Sequence, residues 1–197
     1  MGIFNLRQQF AFYGEYHNQF VNVLLHITCV PIILWTAMVF LSYTGPLCSV
    51  FDSYLSLVPD FLKFGMLESN AATSLLVLFV SYYFILEPIA TLLYLPFLYT
   101  FLVTATSFAH NNPESLKYAL GLHVIAWIAQ FVGHGVFEKR APALLDNILQ
   151  AVVMAPFFVF LEVLFFIGYR PQLYKDIKAD IDSRIASYKE SKVKKGN

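Results

Sequence analysis

Charged side chains are scarce in this sequence of 197 residues, at 13% against about 25% in typical soluble domains. The 13 basic and 13 acidic residues cancel, so the chain lacks the positive charge that nucleic-acid binding requires. Hydrophobic residues make up 58% of the chain, too many for intrinsic disorder or for the surface of a water-soluble enzyme. The composition therefore predicts a membrane protein with no nucleic-acid partner.

Cysteine and the familiar catalytic motifs are also rare or missing. The two cysteines, Cys29 and Cys48, are too few for a disulfide framework and lack the spacing of a metal site. The sequence has no Gly-x-Ser-x-Gly elbow, no His-Glu-x-x-His and no glycine-rich nucleotide-binding pattern. It also has no His-x-x-His-His pairs of the membrane desaturases. These absences argue against a serine hydrolase, a zinc protease, a nucleotide-binding enzyme and a desaturase.

Four long apolar stretches organise the chain, at residues 20–43, 71–109, 119–137 and 148–169. A spanning helix needs about 20 apolar residues, and the second stretch is long enough for a helical hairpin that turns at Glu87-Pro88. We therefore predict an all-α, polytopic transmembrane helix bundle of four to five spans. Residues 46–64 are predicted to form an interfacial helix and loop. Residues 1–170 would be a single transmembrane catalytic domain.

The C-terminal segment, residues 171–197, is basic, with seven Lys or Arg residues against four acids. The positive-inside rule predicts that this tail lies in the cytosol. Its last residues, Lys194-Lys195-Gly196-Asn197, resemble the dilysine retrieval signal of endoplasmic reticulum membrane proteins. A solvated lysine-rich end is the alternative. We expect a multi-pass protein of the endoplasmic reticulum membrane with a cytosolic C-terminus.

Polar residues inside the apolar stretches form a pattern. Ionisable groups at membrane depth cost about 2.5–3.5 kcal/mol or more, so they are functional candidates by default. If the third stretch is a helix, one stripe of it carries His123, Trp127, Gln130, His134 and Glu138. His134 and Glu138 are four residues apart, so both can reach one ion.

Two histidines from different stretches are expected to meet. His26 near the start of the first span and His134 near the end of the third stretch lie at one membrane face if three spans connect these points. Two histidines with one carboxylate suit a non-haem Fe(II) centre with open positions. His123 lies about 16 Å from His134 along a straight helix and cannot share its ion. His110 is farther still, unless the helix starts late or breaks at Gly121.

Alternatives to an iron enzyme remain open at this point. The histidines of a non-catalytic lipid-binding scaffold or a small transporter would serve as hydrogen-bonding residues between helices. A metal-dependent lipid hydrolase would need an activated water but no O2, so oxygen dependence separates it from an oxygenase.

Several motifs resemble one family of small polytopic membrane proteins. The motifs are Tyr13-x-x-x-His17, Asn22-x-x-x-His26 with Pro31, the run from Trp127 to Pro142 that contains Gln-Phe-Val-Gly-His-Gly-Val-Phe-Glu, Asp146-Asn147 and Ala155-Pro156. The family is the fungal 2-hydroxy-palmitic acid dioxygenases of the endoplasmic reticulum. The resemblance extends over nearly the whole chain, to about Arg170.

The resemblance implies an Fe(2+)-dependent α-oxidation in phytosphingosine degradation. A 2-hydroxy fatty acid such as 2-hydroxypalmitate and O2 would give a fatty acid one carbon shorter, with membrane lipid around the acyl chain. The metal ligands that the resemblance implies are His17, His26, His110 and His134. His123 has no place in the motif. We expect catalytic roles for His134 and Glu138, and binding of the substrate carboxylate by Lys139 or Arg140.

Overall fold

The computed structural model describes residues 2–47, 49–63, 67–142 and 148–196, and side chains are described except at residues 49–51, 54, 148–151 and 192–196. All regular structure in those ranges is helical. The helices are α1 (Leu6–Gly14), α2 (Phe20–Ser42), α3 (Ser49–Ser56), α4 (Asp60–Lys63), α5 (Ala71–Leu86), α6 (Pro88–Asn111), α7 (Ser115–Val132) continued by a π-helical turn (Gly133–Glu138), α8 (Ile148–Phe166) and α9 (Pro171–Gly196). The predicted all-α fold is confirmed. The Asp146-Asn147 motif, Asn197 and the lysine side chains of the dilysine-like end lie outside the described parts.

Three helices are long and apolar enough to cross a membrane, namely α2, α6 and α7 together with its π turn. The pair α8 and α9, bent by 119° where they join, is a fourth candidate. α5 is apolar but has only 16 residues, fewer than the roughly 20 that a span needs. The structure therefore confirms a polytopic helix bundle in which three to four helices meet the length and composition of a span, while α5 falls short of that length.

The hairpin turns where the sequence predicts it. α5 ends at Leu86, Glu87 is extended (φ −156°, ψ 92°), and Pro88 opens α6. Proline disfavours helical backbone in the residue before it, and it suits the first helical position because no hydrogen bond needs its missing N–H. The N–H of Thr73 donates to the side chain of Asn70 over 3.1 Å, which caps the start of α5. The two arms pack against each other.

The described chain divides into two compact units. The first unit combines residues 1–28 with residues 130–197, and the second contains residues 29–129. Within the first unit α1 packs on α8 and α9. Phe10 of α1 meets Phe158 and Phe165 of α8 edge to face, with ring centroids 5.0 and 5.3 Å apart. Arg7 donates to Asp180 of α9 over 2.6 Å. The predicted cytosolic tail is thus a helix packed on α1, and the domain boundary at residue 170 stays a prediction.

The stretch predicted to be interfacial contains the short helices α3 and α4. Large apolar side chains are exposed there, with Leu57 at 78% and Phe61 at 73% of full exposure. Apolar side chains of this kind suit a helix that lies in a membrane surface. The position of this segment relative to the membrane stays a prediction.

Candidate metal centre

Three histidines of the first unit converge on one point. His17 lies in the connection between α1 and α2, His26 lies in α2, and His134 lies in the π turn. Their ring centroids are 4.2, 4.8 and 4.9 Å apart, and each pair of rings is close to perpendicular. One ligand nitrogen from each ring lies within 4.8 Å of the other two. This is the one such group of three possible ligands within the described residues.

The π turn brings His134 into the cluster. Its backbone N–H groups reach one residue farther back than in an α-helix, so that the N–H of Lys139 bonds the carbonyl of His134. Turns of this kind change the direction of the side chains that follow and occur often at functional sites. The turn opens at Gly133, where an added Cβ would collide with Oδ1 of Asn22 in α2. Only glycine lets the two helices approach this closely.

Hydrogen bonds to the backbone fix the tautomers of two of the rings. Nδ1 of His17 lies 2.8 Å from the carbonyl oxygen of Tyr13, and Nδ1 of His26 lies 2.9 Å from that of Asn22. A carbonyl oxygen only accepts, so each Nδ1 carries the proton and donates. Each Nε2 therefore keeps a lone pair, and a backbone bond at Nδ1 is the usual arrangement for a histidine that binds a metal.

Burial disfavours a positive charge on the three clustered histidines. The exposed fractions of His17, His26 and His134 are 7%, 5% and 4%. Burial holds the pKa of His17 well below its ordinary value, and the neighbouring rings of His26 and His134 lower that pKa further. A neutral imidazole is the form that binds a metal ion.

The cluster fits a metal ion with a polar ligand beside it. Three buried side-chain atoms have no hydrogen-bond partner among the described residues: the hydroxyl of Tyr13, Oδ1 of Asn22 and Nδ1 of His134. All three belong to the cluster or to residues one helical turn before its histidines. Buried polar atoms without partners are rare and cost about 1–3 kcal/mol each. Three at one place, beside three neutral imidazoles, indicate a binding site.

Glu138 holds the start of α2. Its carboxylate accepts from the backbone N–H groups of Asn18 and Gln19 at 3.2 and 3.0 Å, and from Nδ2 of Asn22 at 3.0 Å. A carboxylate at this end of a helix satisfies free N–H groups and interacts favourably with the helix dipole. The backbone carbonyl of the same Asn22 accepts from His26, so Glu138 supports the orientation of His26 through Asn22. Its predicted catalytic role stays a prediction.

Lys139 and Arg140, the predicted carboxylate-binding residues, differ in their surroundings. Lys139 is exposed and has a left-handed backbone (φ 53°) that ends the π turn. Arg140 donates to the backbone oxygen and carboxylate of Glu15 at 2.7 and 3.2 Å. Its guanidinium also lies over the rings of Tyr16 and Tyr188, 3.7 and 4.1 Å from their centroids. Arg140 therefore links the end of α1 to α9.

His110 does not belong to the three-histidine group. It lies in the last turn of α6, in the second unit, with its side chain 42% exposed and Nδ1 3.6 Å from Oε1 of Glu68. α7 begins at Ser115 and continues through Gly121 without a break. The ligand role that the resemblance implies for His110 stays a prediction.

His123 lies in a continuous series of hydrogen bonds within the second unit. Nε1 of Trp127 donates to Nε2 of His123 over 3.0 Å, and Nδ1 of His123 lies 2.7 Å from the hydroxyl of Thr36. That hydroxyl in turn lies 2.8 Å from the carbonyl of Ile32. Both ring nitrogens are occupied, so His123 acts as a hydrogen-bonding residue between α2 and α7.

Three residues of the site were not singled out as site residues from the sequence. Tyr13 and Asn22 stand four positions before His17 and His26, and this repeated spacing was the available signal. Gly133 precedes His134 directly, but nothing in the sequence shows which residue of α2 it contacts.

The fold and the site define a polytopic membrane protein with a buried three-histidine centre. The family model described as 2-hydroxy-palmitic acid dioxygenase Mpo1-like matches residues 3–167. The chain belongs to this family, as the motifs predicted. The 2-hydroxy-palmitic acid dioxygenase MPO1 of Saccharomyces cerevisiae is 35% identical over 187 residues, 92% of this chain and 92% of the yeast protein. No solved structure matches the chain.

Proposed function

We propose that this chain is an Fe(II)-dependent dioxygenase that shortens 2-hydroxy fatty acids by one carbon. Membership of a family described as 2-hydroxy-palmitic acid dioxygenases supports the reaction and the substrate class. The observation that carries the metal dependence is the cluster of His17, His26 and His134. Fe(II) bound there supplies the one-electron steps that reaction with O2 requires and that side chains do not perform.

The proposed ligands are the three clustered histidines. Backbone bonds at Nδ1 hold two of the rings with Nε2 free, and burial keeps water away from them. Three protein ligands leave coordination positions open, as a catalytic site requires. The head group of a 2-hydroxy acid carries hydroxyl and carboxylate oxygens that suit such a site, and apolar helices accommodate its acyl chain. His110, whose side chain lies near Glu68 in the second unit, is not part of the three-histidine group, and only the family resemblance supports it as a further ligand.

Oxygen uptake by the detergent-purified protein tests the proposal. We expect uptake only when both Fe(II) and 2-hydroxypalmitate are present, loss of uptake with a chelator, and a C15 acid as product. Palmitate, which lacks the 2-hydroxyl, is the matched control and should give no uptake. Absence of uptake in folded, iron-loaded protein would favour a lipid-binding scaffold, and hydrolysis without O2 would favour a metal-dependent hydrolase.

The ligand assignment has its own test. His134→Ala should remove bound iron and turnover together, because two imidazoles hold the ion much less tightly than three. His123→Gln, a histidine substitution inside the other compact unit, should keep both. Iron content and oxygen uptake are measured on protein of confirmed helicity. Full turnover of the His134→Ala protein would exclude His134 as a ligand.

We propose the endoplasmic reticulum membrane as the location and phytosphingosine degradation as the pathway. The C-terminal Lys194-Lys195-Gly196-Asn197 supports the location, and the family resemblance supports the pathway. Replacing both lysines with serine should release a fluorescently tagged protein from the endoplasmic reticulum if the retrieval signal operates. Unchanged retention would mean that the lysines form a solvated end.

A further inference from the structure

The Tyr13 hydroxyl is a buried polar group with no assigned role. Of the three buried atoms without a partner, Nδ1 of His134 belongs to a proposed ligand, and Oδ1 of Asn22 lies against the backbone of Gly133. Tyr13 is 6% exposed, and its hydroxyl meets neither solvent nor a partner among the described residues. A phenylalanine would fill the same space without burying an unpaired hydroxyl.

The ring of Tyr13 is held firmly beside the metal centre. It lies one helical turn before His17 and stacks on the imidazole with centroids 3.9 Å apart and planes 14° apart. Phe158 and Phe10 contact the phenol at centroid distances of 4.9 and 5.7 Å. The stacking therefore holds the phenol directly against one of the three clustered histidines.

A 2-hydroxy fatty acid bound at the three-histidine centre would bring a carboxylate that requires a hydrogen-bond donor. Arg140, the cation expected there from the sequence, is already bound by Glu15 and lies between the rings of Tyr16 and Tyr188. A protonated phenol donates strong hydrogen bonds to an anionic oxygen. The Tyr13 hydroxyl is therefore available to donate a hydrogen bond to a carboxylate, whereas the Arg140 guanidinium is already bonded to Glu15.

We propose that the Tyr13 hydroxyl donates a hydrogen bond to the carboxylate of a 2-hydroxy fatty acid bound at the three-histidine centre, which makes Tyr13 a substrate-binding residue. The inference rests on the proposed function, since it requires that the acid binds at this centre. It predicts a hydroxyl whose removal weakens substrate binding without weakening the ligand-free fold. If the hydroxyl had a structural role, its removal would instead destabilise the ligand-free protein and leave substrate binding unchanged.

Tyr13→Phe tests the proposal. The matched control is Tyr94→Phe, since Tyr94 is also buried but belongs to the second unit, whereas Tyr13 belongs to the first. Both proteins and the wild type are loaded with Co(II) without O2, so that 2-hydroxypalmitate binds without turnover. The visible spectrum of Co(II) then reports metal binding and substrate binding separately. We expect Tyr13→Phe to keep the Co(II) affinity and the melting temperature of the metal-free protein, and to bind 2-hydroxypalmitate about 10- to 100-fold more weakly. Tyr94→Phe should bind it like the wild type.

A rescue experiment strengthens the test. Incorporation of 4-aminophenylalanine at position 13 restores a donor on the same ring, and we expect it to recover most of the substrate affinity. Wild-type substrate affinity in Tyr13→Phe would overturn the proposal, and so would a loss of Co(II) binding, which would assign Tyr13 to the support of the ligands. Failure of the wild type to bind Co(II) would instead overturn the proposed function, so the two failures are distinguishable.

Discussion

Replacing Glu138 with glutamine isolates the contribution of one carboxylate to the metal centre. The carboxylate accepts hydrogen bonds from the N–H groups of Asn18 and Gln19 and from Nδ2 of Asn22. A glutamine keeps one accepting oxygen but loses the negative charge at the start of α2, and it turns an NH2 group toward donors. Loss of a helix cap costs about 0.5–2 kcal/mol, and loss of the interaction with the helix dipole adds about 0.3–1 kcal/mol.

The expected total of about 2 kcal/mol corresponds to a fall of about 4–8 °C in the melting temperature of a chain of this size. Metal affinity should also fall about 10- to 100-fold, as is usual when a residue that orients a ligand is changed. Glu138 acts on the metal centre through Asn22, because it bonds the Asn22 side chain and the Asn22 carbonyl accepts from Nδ1 of His26. Melting of the metal-free protein in detergent and metal titration provide the two measurements.

Glu114→Gln is the matched control for Glu138→Gln. Among the residues that the structure describes, the Glu114 carboxylate pairs with Lys117 alone, at 2.7 Å, and its side chain is 54% exposed, so its loss should cost about 0.5 kcal/mol or less. Equal melting temperatures for the two variants would refute the capping role of Glu138. A fall in metal affinity with unchanged melting of the metal-free protein would instead make Glu138 a ligand, which is the role that its spacing from His134 suggests.

Two further predictions follow from the geometry around the cluster. Gly133→Ala should lower the free energy of unfolding by about 1–3 kcal/mol, because its Cβ would overlap Asn22. Gly135→Ala is the control, since this glycine lies in the same π turn with open space around it. Equal losses of stability in thermal unfolding of the two variants would contradict this reasoning. The lowered pKa of His17 means that the unfolded chain binds the proton more tightly, so the metal-free protein should be fully stable above about pH 6.5 and lose stability progressively below it. Denaturant titration measures the free energy of unfolding at each pH. Its fall between pH 6.5 and 5 should be smaller in His17→Gln than in the wild type, and an equal fall would show that other groups titrate.

The sequence predicts the membrane helices well, because their apolar composition is a local property. The hairpin turn at Glu87-Pro88 follows from the fixed backbone of proline, and the structure has it at the same residues. The predicted stretch begins at residue 71 and turns at Glu87-Pro88, which already limits its first arm to 16 residues, the length of α5 in the structure. Hydropathy locates such an apolar arm but does not show whether a helix of 16 residues crosses the membrane.

The candidate site was only partly predictable. The juxtaposition of His26 and His134 followed from counting spans, and the structure brings the two rings together. His17 lies in a connection between helices, where no periodicity assigns a direction to its side chain, so only the family resemblance indicated it. The predicted stripe assumed an α-helix, whereas the π turn from Gly133 onward changes the spacing. Consequently His134 joins the cluster while Glu138 caps α2.

The order of the three proposed ligands along the chain constrains how the proposed metal centre is assembled. His17 and His26 belong to the first segments to be synthesised, whereas His134 follows only after α6 and α7. Until α7 is inserted, the first two imidazoles form at most an incomplete and weak site. If the three histidines bind the proposed ion, complete metal loading would be a late event in biosynthesis, after synthesis of the third candidate span. A chain arrested before Gly133 would be embedded in the membrane but unable to hold the ion.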